Sequence, residues 1–510
     1  MTRFLISETA KHVGEKVKVA GWVNVRRAHG KIVFIDLRDK SGVLQCVFVP
    51  SAKEAYDAAQ EIRTEWVVEL VGQIVARPEK MQNAQIATGK VELSVEELKV
   101  LSKAQTLPFD VTTDGMEINE EIRMKYRYLD LRRERLRQNL IMRHKVSKFV
   151  RDFLTNEGFI EIETPTLTKS TPEGSRDFVV PSRLHPGKFY ALPQSPQQYK
   201  QLLMVAGLEK YFQLARCLRD EDPRGDRQTE HTQIDIEMSF IEREDFMELY
   251  ERLLIALVQT LFPEKKIQQI PFPKISYQEA MQKYKSDKPD IRTDKNDKNV
   301  LAFCWVIDFP FFEKDDEGGW TFTHNPFSAP KPEFIPDLMA KKNIGQILTT
   351  QYDIALNGWE IGGGSIRNNT PEAIEKVFEI MGYSKEEIKA QFGHMLEAYS
   401  FGAPPHGGIG SGIDRLVALL LGEPNIREVI AFPKTGDGRD LMMDAPSEIY
   451  QKQLDELHVA INSKKGIDGN IKSEIRNPGH NTAPGSAKLQ INSKSKKQKP
   501  KNTLVKKSKQ

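Results

Sequence analysis

Gly408-Ile409-Gly410-Ser411-Gly412-Ile413-Asp414-Arg415, running straight into Leu416-Val417-Ala418-Leu419-Leu420, is the stretch on which the reading of this 510-residue chain turns. Three glycines at every second position let backbone approach a ligand closely, and the apolar run after them begins a helix. Alone, such spacing is as readily a packing or turn feature. Far earlier, Arg219-Asp220-Glu221-Asp222 sets a fixed cation beside carboxylates, a combination that holds a polyphosphate and its Mg²⁺ together. The pair reads as an ATP site.

The bulk properties bound what surrounds that site. At 510 residues the chain exceeds one typical core, so two or more folded domains are expected. Cys46, Cys217 and Cys304 show no CxxC spacing and leave one over, which argues against a disulfide framework or structural zinc and fits a reducing cytoplasm. Met1-Thr2-Arg3-Phe4-Leu5 opens no long apolar region, and no stretch approaches about 18 uninterrupted apolar residues, so neither secretion nor membrane insertion is expected. Net charge is +3 but unevenly spread: residues 461–510 carry twelve lysines and Arg476 against Asp468 and Glu474, leaving the remainder acidic. That basic tail is expected to be disordered, either a solubilising segment or a non-specific RNA-binding arm.

Residues 14–100 alternate apolar and polar in short runs, such as Lys16-Val17-Lys18-Val19-Ala20 and Ile32-Val33-Phe34-Ile35-Asp36-Leu37, with a helical stretch at 52–62. Five strands with one inserted helix predict an OB-fold barrel within 1–104. Leu107-Pro108-Phe109 and Thr112-Thr113-Asp114-Gly115 read as a hinge over 105–125. Over 119–157, helical periodicity puts Leu136, Leu140, Phe149 and Phe153 on one stripe. Beyond it, strands at 188–191, 234–240 and 302–307 mix with helices at 196–205, 371–381 and 385–400. This irregular order predicts an antiparallel α+β catalytic domain rather than a Rossmann fold, in a multidomain α+β chain.

With these segments in place, the chain resembles the class II aminoacyl-tRNA synthetases, and among them the bacterial-type aspartyl-tRNA synthetases, over roughly residues 1–455. Gly158-Phe159-Ile160-Glu161-Ile162-Glu163-Thr164-Pro165 resembles that class's motif 1, 217–240 its motif 2 and 408–420 its motif 3. The aspartyl-type strings are Gln194-Ser195-Pro196-Gln197, Asp226-Arg227-Gln228 and Gly362-Gly363-Gly364-Ser365-Ile366-Arg367. The resemblance implies a catalytic domain in two parts, 126–262 and 301–455, and a homodimer joined through motif 1. Residues 263–300 are a remnant of the family's inserted domain, because Ser286-Asp287-Lys288-Pro289-Asp290-Ile291-Arg292 is followed almost directly by Cys304-Trp305-Val306. The chemistry should survive that loss, with fewer tRNA contacts on that side.

The implied reaction is ATP-dependent attachment of L-aspartate to tRNA-Asp through an aspartyl-adenylate. A carboxylate must attack a phosphate, and the two anions repel until cations bridge them. By resemblance Arg219 touches the substrate carboxylate and the α-phosphate, and Arg415 holds the γ-phosphate. Glu221, Arg227, Gln228, His231, Glu360, Gly408, Gly410, Gly412 and Asp414 complete the ATP site. Lys200 and Arg367 receive the β-carboxylate of aspartate, and Glu173, Ser195, Gln197, Asp235 and His324 the rest, with Glu173 on a Pro/Gly-flanked lid. Asparagine would leave the two cations unpaired. His231 stands where the family has an adenine-stacking Phe, and an imidazole there would make nucleotide affinity pH-sensitive. Mg²⁺ falls to Asp353 and Glu360; their odd spacing of seven would place them on opposite faces of one strand, but the Asn357-Gly358 turn between them makes a hairpin and restores convergence.

In the barrel, Arg26, Arg27, Phe34, Gln45 and Phe48 form an aromatic and basic set suited to unpaired bases. By resemblance Phe34 stacks on the central anticodon base and Gln45 bonds it. Phe34 in an alternating strand is equally a core residue. His29 accompanies family members that accept tRNA-Asn besides tRNA-Asp, whereas Lys80 points to strict ones. A synthetase for asparagine or lysine is disfavoured by Lys200 with Arg367, and a non-catalytic descendant by the intact Arg219, Arg415, Asp353 and Glu360.

Overall fold

The computed structural model describes residues 2–461 apart from Thr171, Pro172, Pro223 and Asp316; all but the first residue of the basic tail lies outside the described residues. The chain forms two compact units, one of residues up to 123 with 128–135, the other of 124–127 with 136 onward.

The first unit is a closed barrel of five strands, β1 (Lys16–His29), β2 (Ile32–Asp39), β3 (Gly42–Phe48), β4 (Val67–Ala76) and β5 (Val91–Ser102), in the order β1-β2-β3-β5-β4. Strict alternation drives it: Val33, Ile35 and Leu37 of β2 and Leu44, Cys46 and Phe48 of β3 point inward and are buried. Helix α1 (Lys53–Glu61) closes one side with Ala55 and Ala59. Phe48 is therefore core and unavailable to a base, whereas Phe34 faces outward, half-buried. The stretch read as a hinge is pinned. Arg133, wholly buried, donates to the Thr113 carbonyl (2.9 Å) and pairs with Asp130 (2.6 Å), and a side chain at Gly115 would collide with its guanidinium.

The second unit is built on an eight-stranded sheet: β6 (Ile160–Glu161), β7 (Lys210–Leu218), β8 (Glu230–Ser239), β9 (Lys274–Ser276), β10 (Phe303–Ile307), β11 (Tyr352–Leu356), β12 (Trp359–Ile366) and β13 (His406–Gly412). The spatial order is β9-β10-β11-β12-β13-β8-β7-β6. Its interior is antiparallel and only the edge pairs, β9 with β10 and β6 with β7, are parallel. Helices α2 (Glu134–Asn156) and α3 (Arg243–Leu261) supply the main core, α3 burying Phe246, Tyr250, Leu253, Leu254 and Leu257. The periodicity read over 119–157 belongs to three helices rather than one, with breaks after Lys125 and Asp130. In α2 the buried stripe is Leu136, Val146, Val150 and Leu154; Leu140, Phe149 and Phe153 sit on its flank, half-buried, because the apolar positions span a wider arc than the sheet covers.

Candidate active site

Strand β8 turns Gln233, Asp235 and Glu237 to one face, and across from them stand Gly412, Gly410 and Gly408 of β13. A Cβ built on Gly410 would lie 1.8 Å from the Gln233 amide, and one on Gly408 would lie 2.3 Å from a Glu237 carboxylate oxygen. Gly408 and Gly410 thus make room for the next strand, whereas a side chain at Gly412 would meet open space. Gly410 and Gly412 also line the cavity of about 410 Å³ that opens above the sheet, but Gly408 does not. The same device recurs in β12, where a side chain at Gly363 would meet the Asp353 carboxylate at 2.6 Å.

One end of the cavity is a closed ion network. Lys200, on the helix Gln197–Val205, pairs with Asp235 (3.0 Å) and Glu237 (3.2 Å), and Arg367 grips Glu237 through two bonds of 2.8 and 3.0 Å. All four side chains are almost wholly buried. Burial would raise Glu237, but Arg367 and Lys200 outweigh it and hold the carboxyl down to about 2; Asp235 is raised because burial prevails over Lys200. Lys200 and Arg367 border the cavity, with Asp235 behind them. The sequence argument that asparagine leaves these cations unpaired does not hold, since Asp235 and Glu237 already neutralise them. Lys200 has two of its three N–H groups engaged, and Arg367 gives its remaining bonds to Ser365 and the Gly408 carbonyl, leaving one N–H each. Nearby, Ser195 donates to Glu173 (2.7 Å), and the buried amide nitrogen of Gln197 has no hydrogen-bond partner among the described residues.

The other end is looser and more exposed. Arg219 is half-buried; its Nε donates only to the Gln194 carbonyl (3.3 Å), and it has no carboxylate partner among the described residues. Arg415 donates to the carbonyls of Asp226 (2.8 Å) and Glu360 (2.9 Å) and pairs with Asp226 at 3.3 Å. Asp414 is committed to Arg143 and the Thr232 N–H, so its role is to hold motif segments together. Glu221 binds Ser175 and lies 3.5 Å from Arg227, and Gln228 clamps the Lys434 backbone by both amide atoms. His231 is pushed down to about 3 by burial and by Arg219, Arg415 and Arg216, so it is neutral at physiological pH and the pH-sensitivity read from its identity is not expected.

The hairpin converges as its turn implies. Asn357 and Gly358 both take positive φ (52° and 87°), Ala355 pairs with Glu360, and Asp353 shares the face of Ala355. Burial and the Glu360 charge raise Asp353 to about 7, while His324, 3.9 Å away, works against them. Two carboxylates on one wall, Glu360 with the Arg415 guanidinium 4.0 Å away, suit a divalent ion. Among the described residues no three His, Cys, Asp or Glu gather as a metal set. Sequence reasoning missed Gln233, Asp287 and Lys288 at this cavity and Glu237 buried behind Lys200 and Arg367; the alternation Gln233-Asp235-Glu237 was the available signal for Gln233 and Glu237.

On the barrel, Arg27, His29, Phe34 and Gln45 share the outer face, with Arg27 opposite Phe34 and bonded to Asp36 (2.8 Å), and Gln45 bonded to Glu92 (2.7 Å). Arg26 is not with them. It stands opposite Ile35, on the other face, and donates to the Ala59 carbonyl at the end of α1 (2.9 Å).

The chain thus joins a cation-rich cavity on a largely antiparallel sheet to a five-stranded barrel. The family model for class II tRNA synthetases (D, K and N) matches residues 119–436, and that for the OB-fold nucleic acid binding domain matches 17–101. The chain belongs to the class II tRNA synthetases of that D, K and N group. It is 40% identical over 578 residues to the aspartate--tRNA(Asp/Asn) ligase of Rubrobacter xylanophilus, covering 89% of this chain and 95% of that one. It is 41% identical over 586 residues to the aspartate--tRNA ligase of Geobacillus kaustophilus, covering 89% and 98%. Both alignments run longer than this chain, so each relative carries residues that have no counterpart here. The fold matches that of asparaginyl-tRNA synthetase from Pyrococcus horikoshii complexed with asparaginyl-adenylate, with a TM-score of 0.70 at 22% identity over 85% of this chain and 98% of that one.

Proposed function

We propose that the chain activates L-aspartate with ATP and transfers it to tRNA-Asp. The observation that carries this reading is the contrast inside one cavity between the buried Lys200–Asp235–Glu237–Arg367 network and the uncommitted Arg219. The leftover N–H groups of Lys200 and Arg367 are donors only. A β-carboxylate presents two acceptors to them, whereas the amide nitrogen of asparagine would set donor against donor. The orphan amide of Gln197 and the Ser195–Glu173 pair are suited to the backbone groups of the amino acid. Arg219 then neutralises the α-carboxylate and α-phosphate as they meet, and Arg415, braced by Asp226, takes the γ-phosphate. Asp353 and Glu360 would hold Mg²⁺, which supplies charge neutralisation on the polyphosphate.

In this reading residues 1–104 bind the anticodon through Arg27, Phe34 and Gln45, while 126–262 and 301–455 carry the catalysis. The apolar side chains left exposed on and near motif 1, Ile160, Val179 and Phe189 among them, favour a homodimer. No helix among the described residues is long and apolar enough to cross a membrane. Charging of tRNA-Asn as a second substrate is favoured by exposed His29 at the end of the Phe34 face and by the Asp/Asn names of relatives. The test charges tRNA-Asp and tRNA-Asn transcripts side by side with aspartate. Aspartylation of tRNA-Asp is expected, with tRNA-Asn charged comparably and lost preferentially in His29→Leu. Failure to aspartylate tRNA-Asp would overturn the reading, and negligible charging of tRNA-Asn alone would remove only the second substrate.

A further inference from the structure

The shortened connection between motifs 2 and 3 is built into the wall of the active-site cavity. The helix Tyr277–Tyr284 ends at Lys285 in a left-handed conformation, and the chain then turns with the Lys288 N–H donating to Ser286 Oγ (3.1 Å). The following residues are anchored three ways. Asp290 is held by the Arg292 guanidinium at 2.8 and 3.0 Å, its Cβ packs against Gly358 of the β11–β12 turn, and the Ile291 carbonyl accepts from Gln268 (3.1 Å). Ile291 packs with the cluster of Cys304, Val306 and Phe309. So fixed, Asp287 and Lys288 line the cavity together with His324, Asp353 and Glu360.

Lys288 is half-buried as a residue, and its ammonium has no ion pair or hydrogen bond among the described residues. Arg415, Arg227, Lys200 and Arg367 all have carboxylate partners, so in this cavity Lys288 shares its uncommitted state with Arg219. An unpaired ammonium on the wall that also carries Asp353 and Glu360 is placed to meet an anion that arrives with a cation held there.

We infer that Lys288 binds the β- and γ-phosphates of ATP and steadies them as they leave as diphosphate, so that the stump of the lost insertion is a working part of the activation site. This rests on the proposed aspartate-activating reaction. There, an α-carboxylate oxygen forms a bond to the α-phosphorus, the bond from that phosphorus to the bridging oxygen breaks, and its electron pair departs on the diphosphate. Lys288 keeps its proton throughout and stabilises the charge by hydrogen bonding.

The experiment compares the unmutated full chain with Lys288→Met and Lys288→Arg in aspartate-dependent exchange of diphosphate into ATP, alongside direct calorimetric titration with magnesium diphosphate. Lys288→Met is expected to raise the KM for diphosphate and lower kcat by about 10- to 100-fold together, to weaken diphosphate binding, and to leave the KM for aspartate within about twofold; Lys288→Arg should recover much of the loss. Unchanged exchange in Lys288→Met would overturn the inference. So would an equal rise in the aspartate KM, which marks a general structural defect, or a defect confined to transfer onto tRNA, which would make the ligand an RNA phosphate. Should Lys288→Met not fold, Lys288→Gln takes its place: a raised diphosphate KM with the aspartate KM unchanged supports the assignment, and an unchanged diphosphate KM contradicts it. If the unmutated chain shows no aspartate-dependent exchange, the activity itself has failed rather than the role of Lys288.

Discussion

The two ends of one cavity solve opposite electrostatic problems. At the amino-acid end, every cation is matched to a carboxylate before substrate arrives, and the four groups are almost completely removed from water. At the other end, Arg219 and Lys288 have no carboxylate partner among the described residues and remain half-exposed. A buried network tolerates no loose charge, so selectivity there comes from the few donors left over. A polyphosphate brings several charges and its own cation, and is met by groups whose pairing is deferred until it binds. Specificity is therefore rigid at one end, and charge neutralisation adaptable at the other.

That contrast is most sharply broken by mutation at the looser end. Arg219→Ala should lower aspartate-dependent exchange by at least ~10²–10³-fold. Since the side chain's one hydrogen bond among the described residues is to a carbonyl at 3.3 Å, the thermal midpoint should stay close to that of the unmutated chain. A marked fall in the midpoint would show that Arg219 is structural. The closed end should behave in the reverse sense: Glu237→Gln leaves Arg367 and Lys200 buried with one charge partner fewer and should cost about 3–5 kcal/mol of stability, read by denaturant titration. The sign in pH follows from a folded carboxyl held near 2 against an ordinary 4.5: Glu237 stabilises fully above pH 4.5 and loses that contribution as pH falls toward 2. A Glu237→Gln chain whose stability relative to the parent is the same at pH 3 as at pH 7 would contradict the network's reading.

How much of this was legible in the sequence follows the same division. The barrel strands showed in alternation and the Asn357-Gly358 hairpin in its turn residues, because both are local effects. The roles of Arg219 and Arg415 came from motif resemblance, and the structure sets both on the cavity. The glycine alternation at 408–412 was visible, but not the reason for Gly408 and Gly410, which lies in a strand far away in sequence. Glu237 stayed hidden because pairing across β8, β12 and β13 creates its value. Arg26 and Phe48 were misplaced on the RNA-facing set because a run of residues, rather than its inward and outward parity, was read as a surface.

Smaller effects sharpen the account. Phe34→Ala should reduce kcat/KM for tRNA-Asp by an amount corresponding to about 1–3 kcal/mol of lost stacking while leaving amino-acid activation unchanged. Arg26→Ala, on the opposite face, should alter barrel stability rather than tRNA discrimination. A tRNA effect of Arg26→Ala as large as that of Phe34→Ala would undo the assignment of faces. The smallest effect concerns His231, neutral down to about pH 3: the KM for ATP should show no inflection near pH 6.5 that disappears in His231→Phe.

The central claim is that donor-only groups left over from a closed ion network select a carboxylate over its amide. The most direct measurement is the amino-acid dependence of diphosphate exchange into ATP by the unmutated chain, with aspartate and asparagine compared at equal concentration and without tRNA. The account predicts exchange with aspartate and a kcat/KM for asparagine lower by ~10²-fold or more. Comparable exchange with the two amino acids would contradict it.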